Sequence, residues 1–301
     1  MRTLLASAAV ITLTSLLTVW ALYRFQVGPP DGSGFPLPAP PYVRGIEAVL
    51  GFAAGGRPGY LLGRVSTAGW WYYFPVAFAV KTPTATLAGL LLATVALVRR
   101  RSRDDLFVLL PPLLYFLVST TARLNLGYRH LLPILPFLAL HIARLAARPF
   151  PRLTRCLAAC PLVAALLIYP HYLAYFNLIG GGPDNGWHIL VDSNLDWGQD
   201  MKGLRAWMER EQVARVRLSW FGTARPEVYG VSCDLLPGVP YGFTLWEDPP
   251  FDREQPEPGV YVISVTNLVG VVFPDHDLFA WFRARPPDDK IGYSLFVYRV
   301  P

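Results

Sequence analysis

Cysteine is rare in this chain, and the positions of its three cysteines exclude two common kinds of site. Cys156 and Cys160 fall in an apolar run, whereas Cys233 stands alone in the more polar part of the sequence. This placement gives no readable disulfide framework and no paired-cysteine zinc spacing. The HExxH, P-loop and GxSxG signatures are also missing, so the sequence indicates no metalloprotease, P-loop NTPase or serine hydrolase of the usual kinds.

Charged residues are scarce as well. They make up 16% of the 301 residues, against 53% hydrophobic residues, a balance typical of membrane proteins. The net charge of +6 comes mostly from arginines in short segments between apolar runs, such as RRRSR at 99–103. Because this is the positive-inside pattern of membrane proteins, we expect no nucleic-acid partner.

Most long apolar runs lie in the first 176 residues, and five of them are interpreted as membrane-spanning helices. The first, LLASAAVITLTSLLTVWALY, carries no charge. No small-residue cleavage site follows it, which favours an uncleaved span over a signal peptide. The predicted spans are residues 3–22, 82–98, 106–120, 131–147 and 156–176.

Arginines cluster at 99–103 and 144–155, and the positive-inside rule predicts that these two short loops face the cytoplasm. A long loop at 24–69 and everything after residue 176 then lie outside. In the tail, ILVDSN, VRLSWFG, GVYVISVTN and GYSLFVYRV are predicted to be strands, while DMKGLRAWMER and LFAWFRAR are predicted to be helices.

The predicted fold is therefore an α-helical polytopic membrane region of about five spans, residues 1–176, followed by a small extracytoplasmic α/β domain, residues 177–301. The predicted location is the plasma (inner) membrane, crossed several times.

The segment VDSNLDWGQD places Asp192, Asp196 and Asp200 four positions apart. On one continuous helix these carboxylates would stack and repel each other, so we predict a strand end, a polar turn and a helix that starts near Asp200. Asp200 is interpreted as the cap of that helix. The wider cluster is either structural or a surface that binds an acceptor or partner. The residues of this candidate surface are Asp192, Asn194, Asp196, Trp197 and Gln199.

Two further patterns bear on what this cluster could bind. In open α/β sheets, ligands bind beyond the carboxyl ends of strands, where Thr266 and Asn267, and Gly222 and Thr223, are also expected. The D-x-N-x-D pattern resembles the start of an EF-hand loop, but Gly198 comes one position late and Gly203 stands where the bidentate glutamate is needed. We therefore predict no metal site.

A second polar group lies in ARLNLGYRHLLP, residues 122–133. Basic side chains at a membrane boundary can hold a lipid phosphate through charge-assisted hydrogen bonds, although such side chains also serve as snorkelling anchors. Lysine is scarce, with only three in the chain, and Lys81 lies directly before the second predicted span. We therefore add Lys81 to this group. His141 and His171 are interpreted as packed or interfacial. The candidate lipid-phosphate-binding residues are Lys81, Arg123, Tyr128, Arg129 and His130.

Several motifs in the same order carry a family resemblance. They are PLPAPPYVRG, PGYLLGRVSTAGWWYYFPVAFAVKTP, NLGYRHLLPILPFL and YLAYFNLIGGGPDNGWHILVDSNLDWGQD. With them the chain resembles the C-terminal half of bacterial polyprenyl-phospholipid-carrier-dependent glycosyltransferases, relatives of the dolichyl-phosphate-mannose protein mannosyltransferases.

This resemblance implies a GT-C enzyme that transfers a sugar from a polyprenyl-phosphate-linked donor, its substrate, to an extracytoplasmic acceptor, without a cofactor. It also implies that Lys81 and residues 123–130 lie near the donor phosphate. The family's catalytic acid belongs to an N-terminal half that has no counterpart here. We therefore expect a C-terminal part or split subunit, with a separate N-terminal catalytic subunit as a candidate partner and no catalytic residue assigned. The alternative is a non-catalytic membrane-anchored module whose outer domain binds a glycan or a protein.

Overall fold

The computed structural model describes residues 2–30, 34–100, 103–147, 151–223, 225–238 and 251–301, and the chain divides into two compact units. The first unit, Met1–Gly56, contains helix α1 (Arg2–Leu22), a short hairpin of β1 (Val27–Gly28) and β2 (Leu37–Pro38), and helix α2 (Pro40–Gly55). Helix α2 can begin with two prolines because the amides of a first helical turn have no partner within the helix.

The second unit, Arg57–Pro301, begins with an antiparallel hairpin and continues through a run of apolar helices. A 3-10 segment, Tyr128–Ile134, leads directly into the fourth of these helices. The elements are β3 (Gly59–Leu61), β4 (Arg64–Ser66), α3 (Tyr73–Lys81), α4 (Thr84–Arg100), α5 (Arg103–Thr120), α6 (Leu135–Ala147) and α7 (Pro151–Ile168).

The predicted membrane region of about five spans is wrong. Within the described residues, one helix, through Leu5–Leu22, is long and apolar enough to cross a bilayer, or two if the α3–α4 pair is counted as one bent span. The chain turns by 109° between α3 and α4. The second unit instead combines helices with a mixed β-sheet.

Helix length explains why the apolar runs predicted too many membrane spans. Helix α6 has 13 residues and is about 20 Å long, well short of a hydrocarbon core of about 30 Å. The apolar part of α5 is limited to Phe107–Thr120. Helix α7 ends at Ile168, eight positions before the predicted end of its span, because Pro170 disfavours helical geometry in the residue before it.

The rest of the second unit is built around a five-stranded sheet in the order β6-β5-β7-β9-β8. Strands β6, β5 and β7 run parallel, while β9 is antiparallel to both β7 and β8. The elements are α8 (Met201–Arg210), β5 (Val216–Ser219), β6 (Cys233–Leu235), β7 (Gly259–Ser264), α9 (Val265–Leu268), α10 (Ala280–Arg283), β8 (Asp289–Ile291) and β9 (Leu295–Val300).

Successive side chains of a strand point to opposite faces of the sheet, so the core is divided into two layers. Leu218, Val262 and Val297 pack in one buried cluster with Trp207 of α8. The intervening strand residues, such as Ile263, pack in a second buried cluster with residues of α10 and of the segments before residue 200. The sheet is therefore covered on both faces, and its carboxyl edge, after β5 and β7, meets the segment around residue 196.

The structure confirms the predicted helix over 200–210 and strands within VRLSWFG and GYSLFVYRV. The strand predicted over GVYVISVTN is confirmed only as far as Ser264, because the next residues form helix α9. The predicted strand ILVDSN is wrong, since residues 192–194 form a 3-10 turn, Asp192–Asn194, and another such turn, Gly186–His188, precedes it. A run of only three apolar residues separates the two turns. Its residue Ile189 accepts a hydrogen bond from Leu62 N at 3.0 Å and does not join the five-stranded sheet.

Candidate functional site

The three aspartates of VDSNLDWGQD point to three different environments. The 3-10 turn and the following bends break the helical repeat, so the carboxylates do not stack. Asp192 is half-buried beside the surface, Asp196 is completely buried, and Asp200 is buried against the β8–β9 turn.

Asp192 has a left-handed backbone, with φ of 55°. Its amide donates to Thr266 Oγ1 at 3.1 Å, and its Oδ1 accepts a hydrogen bond from Ser193 N at 2.5 Å. Burial raises the pKa of the Asp192 carboxyl to about 6, although the Ser193 amide and the Arg129 charge oppose that rise. Such a conformation costs of order 1–3 kcal/mol and persists only where the surrounding contacts enforce it.

Asp196 lies at the carboxyl end of β7 with 0% of its surface exposed. Ser264 Oγ donates to its Oδ2, and Gly198 N donates to its Oδ1 at 3.0 Å. Burial raises its pKa to about 7, and the nearby Asp200 charge adds to the rise, while the hydrogen bonds lower it. This carboxyl is therefore partly protonated near neutral pH, and its two hydrogen bonds anchor the turn to the sheet.

The predicted capping role of Asp200 is wrong. Asp200 occupies the cap position of α8, but its side chain makes no capping hydrogen bond. Its carboxylate instead accepts a hydrogen bond from Ser294 Oγ at 2.7 Å and lies 3.0 Å from His171 Nδ1. Tertiary partners thus compete successfully with the free amides of the helix start.

Asn194 and Lys81 join the two groups of residues that the sequence suggested separately. Asn194 is buried, and its Oδ1 accepts a hydrogen bond from Tyr128 N at 2.9 Å while its Nδ2 donates to Tyr73 Oη at 2.9 Å. Lys81 Nζ donates to the Asn194 carbonyl at 2.5 Å and to the Leu173 carbonyl at 2.7 Å. Both side chains are therefore committed to holding segments together.

The exposed part of the site is formed by Arg129 and Trp197. The Arg129 guanidinium carbon lies 5.4 Å from the centre of the Trp197 ring, and 51% of Trp197 is exposed. Phe221, after β5, packs beside the indole with ring centres 6.1 Å apart. Arg129 also interacts electrostatically with the Asp192 carboxyl. A cation, an aromatic face and a carboxyl with a raised pKa thus meet at one surface.

The remaining residues that the sequence predicted for the site differ in exposure and in hydrogen-bond partners. Arg123 is exposed, and Tyr128 Oη lies 2.9 Å from Thr82 Oγ1. His130 Nε2 is buried without a hydrogen-bond partner among the described residues. Gln199 is exposed, but its Nε2 bonds to the Leu195 carbonyl and its Oε1 to Trp197 N. Gln199 therefore braces the backbone that presents Trp197.

Sequence reasoning missed three polar residues that support the site: Tyr73, Ser264 and Ser294. All three are buried or lie at the end of an apolar element, and each bonds to a residue of the 192–200 segment. A small hydroxyl residue at the end of an otherwise apolar strand is a signal that could have found Ser264 and Ser294, since a buried hydroxyl needs a partner.

Gly127 permits the close approach of the two segments. Its φ is 147°, and a Cβ there would overlap Ser193 Oγ, which donates to the Leu126 carbonyl. We expect Gly127→Ala to lower the free energy of unfolding by about 1–3 kcal/mol and to weaken ligand binding at Arg129. Chemical denaturation measures the loss, with Gly45→Ala as the control because nothing lies near a Cβ at that position. Equal stability of the two variants would contradict the close packing.

Comparison of the chain with known protein families, with curated proteins and with solved structures finds no match.

Proposed function

We propose that this chain is the donor-binding part of a glycosyltransferase that takes a sugar from a polyprenyl-phosphate carrier. The observation that carries the proposal is the surface formed by Arg129, Trp197 and Asp192. The family resemblance of the motifs around these residues supports the same substrate class.

Each of the three side chains suits one part of such a donor. A guanidinium binds phosphate oxygens through two parallel, charge-assisted hydrogen bonds. An exposed indole offers an apolar face to a sugar ring, and a carboxyl oxygen accepts hydrogen bonds from sugar hydroxyls. Arg129 is exposed beside the indole, so phosphate and sugar could be bound side by side.

Lys81 has a supporting part in this proposal. It is buried, its ammonium already donates to two carbonyls, and it fixes the backbone of Asn194. Through Asn194 it also supports the segment of Arg129, because the Asn194 side chain accepts a hydrogen bond from the amide of Tyr128, the residue before Arg129. An extracytoplasmic position of the site stays a prediction, supported by the arginine-rich segments in the first half of the sequence.

The proposal is tested by measuring transfer of radiolabelled sugar from a polyprenyl-phosphate donor. The assay is run with and without the product of an adjacent gene that would encode the separate N-terminal catalytic subunit. Native mass spectrometry of the same preparation measures binding of the donor lipid. Donor binding by this chain is the expected result. If neither binding nor transfer is detected with any polyprenyl-phosphate hexose, the proposed function is wrong.

Replacing Trp197 distinguishes binding of the sugar from binding of the lipid phosphate. We expect Trp197→Ala to weaken binding of a polyprenyl-phosphate hexose about tenfold, equivalent to about 1.4 kcal/mol, while binding of polyprenyl phosphate without sugar changes little. Trp197→Phe should keep most of the affinity because it keeps an aromatic face. Trp71→Ala is the matched control, since Trp71 is also exposed. Equal losses for the two lipids would contradict stacking of the sugar on Trp197.

A further inference from the structure

Helix α2 of the first unit has an exposed apolar side. Ile46, Val49 and Leu50 are spaced three and four positions apart, so they lie on the same side of the helix. The exposed fractions of these residues are 44%, 66% and 63%. Tyr42, about one turn before Ile46, is exposed on the same side. A row of exposed apolar side chains on one helix indicates an interaction surface.

The opposite side of α2 is polar or carries small residues. The two charged residues of the helix, Arg44 and Glu47, lie on that side together with Gly51. An apolar side opposite a polar side is typical of a helix that lies in the plane of a membrane interface.

Helix α1 has no such division into two sides. It is apolar all round, which is typical of a helix that crosses a bilayer. Its exposed apolar residues point in different directions around the axis: Leu5, Val10, Ile11, Leu13 and Leu16. The two helices of the first unit therefore suit two different positions relative to one membrane.

Short contacts tie the start of α2 to the end of α1. The Gln26 carbonyl accepts hydrogen bonds from Ala39 N and from Trp20 Nε1, both at 2.9 Å. The rings of Tyr23 and Tyr42 lie beside each other, with centres 6.0 Å apart. Helix α2 therefore begins next to the point where α1 ends.

Aromatic residues mark this end of α1 as the level of a membrane interface. Trp20 lies in the last turn of α1, Tyr23 follows the helix, and Phe25 packs edge-on against Trp20 with ring centres 5.3 Å apart. Tryptophan and tyrosine are enriched where hydrocarbon meets water, because their rings are apolar and their polar groups need hydrogen bonds. Since the stretch Leu5–Leu22 is long and apolar enough to cross a bilayer, α2 begins at the interface that this stretch would reach.

The chain turns at the end of α1 instead of continuing along it. Arg24 and Phe25 have φ of 55° and 54°, in the left-handed region that commonly ends helices. Helix α2 also does not cover α1, since Leu13 and Leu16 are 60% and 63% exposed. The apolar side of α2 therefore needs a partner other than α1.

We propose that α2 lies in the plane of the bilayer interface at the end of α1, with Ile46, Val49 and Leu50 against the acyl chains. Arg44 and Glu47 then face the headgroups and water. The crossing of the bilayer by α1 is part of this proposal, which does not rest on the proposed function. The partner is lipid because the aromatic end of α1 sets the level at which α2 begins. The 16 residues of α2 are about 24 Å long, so its apolar side contacts lipid over several turns.

Photo-crosslinking in the full chain tests this position of α2. The photoreactive residue p-benzoylphenylalanine replaces Leu50 in one sample and Gly51 in another, and each chain is reconstituted in vesicles of phosphatidylcholine and phosphatidylglycerol. Gly51 is the matched control, because it lies next to Leu50 on the polar side and nothing lies within 4 Å of a Cβ there. Mass spectrometry identifies what each position attaches to. We expect position 50 to attach to acyl chains several-fold more than position 51.

Three results would overturn the proposal. Equal lipid attachment at the two positions would mean that α2 is surrounded by lipid instead of lying at the interface. Attachment of position 50 to another segment of this chain or to a second copy would mean that protein covers the apolar side. The lack of any lipid attachment at position 50 would mean that this side faces water.

A charged substitution on the apolar side gives an independent check. With the photoreactive residue in place of Ile46, Leu50→Asp should lower lipid attachment several-fold, because a carboxylate is costly to place among acyl chains. Gly51→Asp should leave the attachment unchanged, since the polar side already faces water. Equal attachment with and without Leu50→Asp would contradict a helix that its apolar side holds in the interface.

Discussion

Replacing Arg129 with Ala is expected to weaken binding of polyprenyl phosphate by about 10- to 100-fold. Hydrogen bonds to charged groups contribute about 1.5–3 kcal/mol, and Arg129 is the exposed cation beside Trp197 and Asp192. Adding Arg123→Ala, a change in the same segment, should weaken binding further. Native mass spectrometry with a series of lipid concentrations measures both effects.

Arg285 provides a matched control for this experiment. Its guanidinium also lies over an indole, with 3.4 Å between the Arg285 Cζ and the centre of the Trp281 ring, and it is exposed. Arg285→Ala removes the same charge and the same kind of cation–π contact without touching the proposed site. Equal losses of affinity in Arg129→Ala and Arg285→Ala would mean that phosphate binding reflects overall charge, and the role of Arg129 would be refuted.

Asp196→Asn is expected to change how stability depends on pH. Burial raises the pKa of Asp196 to about 7, so the folded state binds the proton more tightly than the unfolded state does. The contribution of Asp196 to stability is therefore fully present below the unfolded pKa, near 4, and is lost as pH rises toward 7. Each pKa unit corresponds to about 1.4 kcal/mol, so the loss is on the order of a few kcal/mol.

The amide side chain that Asp196→Asn introduces has no proton to lose, so the stability of this variant relative to wild type should increase between about pH 4.5 and pH 8. Denaturant unfolding at several pH values measures this difference. Asp234→Asn is the control, because its Arg215 partner lowers the pKa of Asp234 and the group stays ionised over this range. A difference between Asp196→Asn and wild type that is the same at every pH would contradict a buried, protonated Asp196.

The later part of the fold could be predicted from the sequence because its signals are local. Strands β5, β7 and β9 alternate or are uniformly apolar, and α8 has an amphipathic repeat with Leu204, Trp207 and Met208 on its buried side. The membrane spans could not be predicted in this way. Apolar composition marks segments that avoid water, but it does not show where a helix bends, as between α3 and α4, or how short it is, as in α6.

The candidate site could be predicted only in part, because its contacts join residues that are distant in the sequence. Residue type and position indicated that Arg129, Asp192 and Trp197 carry chemistry, but the contact between segments near 129 and 197 depends on tertiary packing. Local patterns likewise suggested that Asp200 caps a helix. The partners that decide its role, Ser294 and His171, are distant in the chain, and no spacing rule predicts them.

The most direct test of this account is an experimental structure of the full chain with a polyprenyl-phosphate hexose bound. We predict that the donor phosphate lies within hydrogen-bond distance of Arg129 and that the sugar ring rests on the exposed face of Trp197, with Asp192 near its hydroxyls. A bound donor whose phosphate and sugar contact neither Arg129 nor Trp197 would contradict the account.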